Sequence, residues 1–593
     1  MSNPFDPSNT NTTPTPTTTV QSAEGSSDSE NTSPLDAPVD LSLSPGVDTS
    51  GASTEKLIPF SLTPQSTSPS SLTKSPPKAV GEESEKELPP DEIDEMSPTS
   101  GVEASGSSNT GGAFLTLESL PAPLTTDYEI CRDLNGVGHI VNKTISEAFI
   151  IGSKRANSEL RRIAKSKQLK VSPKDMRDIN EELFELAEEA PRRQIFNRVG
   201  PITNGVELYL GDEKGSRVRV TAAGVEVIQD TSINVFYVPP TSGSLPIPET
   251  IGDLAKLKPY VNVSHEDYIL FLAWMSFTLA HPKLSATNYL HLDIRGCQGS
   301  GKTSLCKNIV LPLLDPTSIG IQSFPRKNED LAILASTLHV VCFDNMRNFK
   351  SDTSDLLCIL SSGGAFSTRA LYTNSELSVK HAHCAIVFNG IHTAILQPDL
   401  AQRCLPIHTL AIDEKSRQSE AFMMQRLHQE LPAIYKGLLD LTSKILFHLP
   451  GAAVTHPERM VDFCQWLAAF ESVKEVPAGT FQQLYSDALR QASFDKLMEH
   501  QLSAVMVEFA IQITGGEWSG TPKALLQKLD EMSDTENRYS REWPQNPIAL
   551  TKRLKGLAAS LLTQGISLEF ARGKYRTITV KYTGTAIDDS PEF

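Results

Sequence analysis

The run Gly-Cys-Gln-Gly-Ser-Gly-Lys-Thr at residues 296–303 has the residue types and spacing needed to hold a polyphosphate. Gly296, Gly299 and Gly301 let backbone N–H groups approach anionic oxygens with no Cβ in the way, and Ser300 completes the cradle. Lys302 is spaced to reach β and γ oxygens, the Thr303 hydroxyl to ligate Mg²⁺, and Ser304 carries the site into the first helical turn. Such a loop needs a strand before it and a helix after it. Tyr-Leu-His-Leu-Asp-Ile at 289–294 reads as the strand, and the apolar periodicity from Ser304 to Leu314 reads as the helix. An ordinary glycine-rich turn has no reason to carry both flanks. The ligand these residues suit is a nucleoside triphosphate, ATP, with Mg²⁺.

Phosphate chemistry needs further groups at neighbouring strand ends. Leu-His-Val-Val-Cys-Phe at 338–343 runs into Asp344, 42 residues beyond Lys302, and an apolar strand ending in a carboxylate suits holding Mg²⁺ through water. Asn345 comes next, and an amide cannot take a proton. Either hydrolysis is slow, or another carboxylate such as Asp352 or Asp355 is the base, or Asn345 only positions the water. A third strand, Cys-Ala-Ile-Val-Phe at 384–388, ends in Asn389, and Arg403 follows 14 residues later in Asp-Leu-Ala-Gln-Arg-Cys. A polar group lying between the other two strand ends can touch a γ-phosphate, and a guanidinium can neutralise charge developing in a transition state. Taken alone, a strand-ending turn and a surface ion pair are the plainer readings of these two residues. His381, His383 and Cys384 are close enough in sequence to suggest a metal site. One-residue spacing would put both histidines on one strand face, but no second ligand cluster accompanies them, so a strand without metal is expected.

The elements that must position these groups occupy only part of the 593 residues. Residues 1–115 are dominated by Ser, Thr, Pro and acids, too poor in apolar surface to offset ordering entropy, and are expected to be a disordered acidic tail. Residues 1–120 carry a net −14 of the whole-chain −17, so the remainder is close to neutral and the acidic balance does not exclude a nucleic-acid partner. Residues 120–245 read as a small α+β domain: a charged helical stretch from Ser153 to Glu189, then period-two segments such as Val206–Leu210 and Arg217–Thr221. The core is expected over 255–450 and a helical region over 451–513. The cysteines lack a CxxC pair and no secretory leader is evident, which points to a reduced, cytoplasmic setting. The longest apolar stretch, Tyr268 to Ala280, is too short for a membrane span and reads as a buried helix.

The last unit, 515–582, reads as a helix at 521–532, a second helix from Pro547 to Leu562 capped by Asn546, and strands at 565–570 and 575–580, an order of winged-helix type. From Arg538 to Lys581 the local net charge is +7. Lys552, Arg553 and Lys555 fall on the second helix and Arg572, Lys574 and Arg576 around the hairpin, a concentration suited to DNA phosphates; packing against protein is the alternative.

The order of features is itself informative: P-loop, Asp-ended strand, Gly-Gly-Ala-Phe-Ser-Thr-Arg-Ala-Leu-Tyr-Thr at 363–373, a strand ending in Asn389 and Gly390, then Asp399 and Arg403. Over residues 200–582 it resembles the ATPase core of superfamily 3 and poxvirus-type primase-helicases, particularly those encoded by phages and other mobile elements. That resemblance implies an α/β P-loop NTPase core of AAA+-like kind, with Lys302 and Thr303 as Walker A, Asp344 as Walker B, Asn389 as sensor and Arg403 as an arginine finger offered to a neighbour in a homo-oligomeric ring, usually a hexamer. It implies a hairpin from Ala365 to His381 lining a channel, with Arg369, Lys380 and His381 as DNA contacts. Asn345 departs from the pattern, since motors of this kind usually carry Glu there. The function implied is ATP-driven helicase or translocase work on DNA in replication, alongside replication proteins. A nucleotide-switched DNA-associated regulator with slow hydrolysis is the alternative.

Overall fold

The computed structural model describes residues 126–584 apart from 230–232, 285–286, 347–348, 350, 370–376, 392–396, 414–418, 514–515, 535–539, 541–542 and 574–575. The expected acidic tail lies outside the described residues.

Strands β1 (Tyr128–Arg132), β2 (Gly138–Asn142) and β3 (Glu147–Ile150) form an antiparallel meander. Two helices follow, α1 (Lys154–Ser166) and α2 (Pro173–Glu189). Each starts where its sequence signals a start. Ser153 accepts the Ala156 N–H, while Ser172 and Asp175 form a capping box ahead of Pro173. Ala156, Leu160, Ile163 and Ala164 make the buried stripe of α1, and two of its arginines are held in ion pairs, Arg155 with Glu147 at 2.5 Å and Arg162 with Glu159 at 2.6 Å. After β4 (Ile195–Phe196), strands β5 (Val199–Ile202), β6 (Gly205–Tyr209), β7 (Arg217–Thr221) and β8 (Gly224–Ile228) form a second antiparallel sheet. Strand β9 (Val235–Tyr237) then returns to the first sheet, whose order is β1-β2-β3-β9-β4.

The stretch read as one α+β domain is therefore divided between two sheets, and the second does not stop at a domain boundary. Val199, Val206, Leu208, Leu210, Val218 and Val220 share one continuous core with α3 (His265–Leu279) and the elements beyond it. Alternation along β6 and β7 gave those strands but not what their apolar face would cover. A buried ion pair reinforces this seam. Arg198 reaches Asp315 at 3.0 Å with both side chains almost fully buried, and Asp315 also accepts the backbone N–H groups of His339 and Val340. In α3 every residue from Leu270 to Leu279 is buried, and among the described residues no helix is long and apolar enough to cross a membrane.

Strand β10 (His291–Arg295) leads into α4, which runs through Lys302–Ser304, a wider-wound stretch Leu305–Val310 and Leu311–Leu314. Pro312, with no N–H for the carbonyl four residues back, sits at the end of the widened stretch. Next come α5 (Asn328–Thr337), β11 (Val340–Phe343), α6 (Ser351–Ser362), the hairpin β12 (Gly364–Arg369) and β13 (Leu377–Ala382), β14 (Ala385–Gly390), α7 (Pro398–Ala401) and β15 (Cys404–His408). The central sheet is parallel in the order β11-β14-β10-β15, with Arg295 beside both Gly390 and His408. All four strands thus end on one edge, where ligands of open parallel sheets bind.

Beneath the opposite edge lies an unusual set of buried imidazoles around Tyr289. Ring centroids of His383, His339 and His281 are 4.6, 5.6 and 5.8 Å from that of Tyr289. His291 Nε2 donates to the Leu357 carbonyl and its Nδ1 accepts from Ile386, which fixes a neutral ring. Burial pushes His281 down to about 3 and His291, His339 and His383 to about 4. These rings are neutral in the fold, whereas in the unfolded chain they take up protons near pH 6.5. Their contribution to stability is complete above that pH and is lost as pH falls toward 4, at about 1.4 kcal/mol per ring per pH unit. Urea midpoints measured from pH 8 to pH 5 should therefore be flat down to about pH 7 and then drop steeply. The histidine pair considered for metal is split: His381 is exposed at the end of β13, while His383 lies beyond it, buried, donating to the Ser361 carbonyl at 3.1 Å.

The long helix α8 (Glu420–His448), with α9 (Val461–Lys474) and α10 (Thr480–Glu499), completes the main core. The last unit begins earlier than position 515. Leu502, Val505, Met506 and Phe509 of α11 (Gln501–Ile511) share a core with α12 (Pro522–Met532), α13 (Pro547–Leu562) and a three-stranded sheet. Its strands, β16 (Glu517–Gly520), β17 (Ile566–Arg572) and β18 (Arg576–Tyr582), are ordered β16-β18-β17.

Candidate nucleotide site and nucleic-acid surface

The loop between β10 and α4 is shaped by glycines at positive φ. Gly296 has φ +146°, and a Cβ there would meet Thr409 Oγ1 at 2.2 Å. Gly301, at φ +90°, caps the start of α4 and turns its free N–H groups toward the loop. Ser300 ties the loop down through Cys297 O at 2.8 Å and Thr409 Oγ1 at 2.7 Å, and Thr409 donates to Arg295 O. Lys302 Nζ donates to Gly296 O at 2.7 Å and Cys297 O at 2.6 Å, folded over the cradle it would serve. Burial lowers its pKa, against the pull of Cys297 and Asp344.

Asp344 leaves the end of β11, and Thr303 Oγ1 lies 3.4 Å from its Oδ1. The two are hard oxygen donors and adjacent, the partial set that Mg²⁺ takes from protein when phosphate oxygens supply the rest. Among the described residues no group of three or more His, Cys, Asp or Glu side chains forms a metal site of its own. The strand order puts β14 between β11 and β10, so Asn389 sits between the Asp344 and P-loop strand ends. Its Oδ1 accepts the Asn345 N–H at 2.9 Å, its carbonyl accepts the Met346 N–H, and its Nδ2 faces Cys306 Sγ at 3.8 Å. Asn345 itself is exposed with φ +52°, a left-handed conformation that Asn tolerates better than most residues. Asp352 and Asp355 are exposed in the first turns of α6.

Arg403 is elsewhere. Its carbonyl accepts the His291 N–H, so it stands at the start of β10 while the P-loop leaves the end of that strand, about 13 Å away for five residues. The structure does not bring Arg403 to the P-loop of its own chain. Its side chain is 16% exposed and pairs with Asp399 at 3.5 Å, a carboxylate shared with Arg459 at 2.7 Å.

Around the loop opens a cleft of about 820 Å³ whose far wall the sequence reading missed. Tyr260 and Asn262 contribute from before α3, and Ile412, Phe422 and Arg426 from the approach to α8 and its first turns. None belongs to a local motif; distant segments become one wall only when α8 packs against α3 and the segment before it. Asn262 Nδ2 donates to Ser300 O and Leu410 O, joining the two sides.

Of the residues expected to meet DNA, Lys552 and Lys555 are exposed on α13, Arg553 is half-buried, and Arg572 and Arg576 are exposed and directly opposite in the β17–β18 register. Like charges facing each other across a hairpin repel unless an anion is shared between them. Lys555 Nζ also lies 5.3 Å from the Phe570 ring centroid. Lys574 falls outside the described residues. Arg369 and Lys380 lie on the paired backbone of β12 and β13, from Gly364 opposite Ala382 to Arg369 opposite Leu377, but their side chains are outside the described set.

Two family models match consecutive parts of the chain. Residues 251–498 match the actinomycete integrative conjugative element replication protein, RepA, and 502–590 match the RepA C-terminal domain of the same elements. Over these residues the chain is similar to this replication-protein family. The two matches together span more than half of the chain, and the second begins inside α11, the helix that opens the last core. No curated protein matches. Among solved structures, the SCCmec type IV Cch active helicase is 11% identical, covering 77% of this chain and 93% of its own, with a TM-score of 0.38. The NrS-1 C-terminal region is 14% identical, covering 77% and 97%, with a TM-score of 0.35. The JCV helicase is 16% identical over 38% of this chain and 65% of its own, with a TM-score of 0.19.

Proposed function

We propose that this RepA-like chain is an ATP-dependent DNA helicase or translocase acting in replication of an integrative mobile element. The observation that carries this reading is the single sheet edge where Gly296–Thr303, Asp344, Asn345 and Asn389 converge, with Arg403 at the opposite edge. In this reading the loop N–H groups and Lys302 bind the β- and γ-phosphates, and Thr303 and Asp344 hold Mg²⁺. The bound ion would neutralise phosphate charge during transfer to water. Asn389 fixes the backbone of Asn345, whose side chain orients the attacking water. Because Arg403 cannot reach its own site, it serves the site of a neighbouring subunit, which calls for a ring of superfamily 3, AAA+-like type, and a hexamer is the natural closed form. The last unit, with the order α11-β16-α12-α13-β17-β18, is assigned as a winged helix that grips DNA through α13 and the β17–β18 tip.

A second reading rests on Asn345. With no carboxylate next to Asp344, nucleotide could switch assembly or DNA binding while turnover stays slow. Steady-state ATP hydrolysis with and without single-stranded DNA separates the two: stimulated turnover supports the motor, and tight ATP binding with negligible turnover in both conditions supports the switch. For the DNA surface, Arg572→Ala combined with Arg576→Ala should weaken binding uniformly across sequences and reduce the slope of log affinity against log salt by about 2. An unchanged slope would remove the hairpin from the interface.

A further inference from the structure

The nucleotide cleft has two walls of different origin. The P-loop and α4 supply Lys302 and Lys307; the first turns of α8 supply Phe422, Met424 and Arg426. Every charged residue among the described lining is a cation, and Arg426 is the one that stands across the cleft from the P-loop. Its present partner is modest. Arg426 Nε donates to Glu430 Oε1 at 3.1 Å, one helical turn along, with the arginine side chain 55% exposed. The Glu430 side chain is 16% exposed, so the arginine is the exposed member, and i,i+4 pairs with one exposed member are weak and readily exchanged. The other carboxylate oxygen of Glu430 accepts the hydroxyl of Tyr260 at 2.7 Å, and Tyr260 lines the same cleft. At the mouth Phe422 is 63% exposed, a large apolar surface left open beside the P-loop.

We propose that Arg426 is a second cationic clamp on the triphosphate, delivered from α8 across the cleft, and that Glu430 is the partner it leaves when nucleotide arrives. A triphosphate offers several charge-assisted acceptors at once, against the single carboxylate Arg426 gives up. Drawing Arg426 inward brings α8 toward α4 and covers Phe422. Glu430 keeps Tyr260, so occupancy of the cleft is registered in the segment before α3 as well as in α8. The proposal rests on the cleft being the ATP site.

The test is equilibrium binding of fluorescent ATP and ADP analogues to the full chain without DNA. Arg426→Ala should weaken ATP binding roughly ten- to hundredfold and ADP less. Glu430→Gln, which frees the arginine, should tighten ATP roughly two- to fivefold. Arg426→Lys should recover part of the loss. A pair that merely braced α8 would give losses of the same sign in both variants, and that result overturns the proposal. So does an unchanged ATP affinity in Arg426→Ala while Lys302→Ala abolishes binding. If Lys302→Ala itself binds ATP normally, the ATP reading of the cleft has failed instead.

Discussion

Lys302→Ala is expected to bind no ATP at concentrations that saturate the natural chain, whereas Arg403→Ala should bind it normally and lose turnover by about a thousandfold. The two losses differ because the residues sit at opposite ends of β10. Removing the lysine strips charge from the cradle; removing the arginine leaves every loop N–H and the Thr303–Asp344 pair in place. Mixing the two dead variants supplies the decisive result. In a mixed ring about a quarter of interfaces join an intact P-loop to an intact arginine, so turnover should return to a comparable fraction of the natural rate. No recovery on mixing, with each variant folded, would mean that Arg403 acts within its own chain or only structurally. Nucleotide binding that survives in Lys302→Ala would remove the P-loop from the mechanism.

Arg198→Met should cost about 3–5 kcal/mol in unfolding free energy, because it strands the Asp315 carboxylate in the interior. Arg198 also donates to the Tyr209 carbonyl at 3.1 Å and the Gly243 carbonyl at 3.1 Å, so the substitution orphans acceptors as well as a charge. The loss would be felt at the start of β11, since Asp315 also holds the N–H groups of His339 and Val340. As a control, Arg490→Met breaks an exposed pair with Asp487 at 2.5 Å and should cost less than about 1 kcal/mol. Urea titrations read both. Equal, small effects would show that the seam tolerates an unpaired carboxylate and is not as dry as its burial indicates.

What the sequence made legible was what local chemistry encodes. Gly296 announces a close approach that no other residue could make and Gly301 a left-handed turn that favours glycine, and Asn546 with Pro547 announces the start of α13 at the residue where it starts. Strand ends at Asp344 and Asn389 were visible because apolar runs stop at polar residues there. Illegible were the features that exist only through packing. Arg426 sits on an ordinary amphipathic stretch, and nothing near it says that α8 will face α4. Val206, Leu208 and Val220 alternate as strand residues should, yet alternation cannot tell a self-contained sheet from one that seals the main core. Helix α11 is nearly all apolar and merged with the helical region before it, and β16 is a four-residue strand too short to register a period.

The backbone at Asn345 limits what this site could become. At φ +52° a glutamate would bear the steric cost of the left-handed region, about 1–2 kcal/mol, which Asn largely avoids. A carboxylate at 345 would therefore carry that strain, as Glu475 does at φ +54°, within an Asp344–Met346 turn that is stitched to Asn389 by two hydrogen bonds. Asn at this position is favoured by backbone geometry.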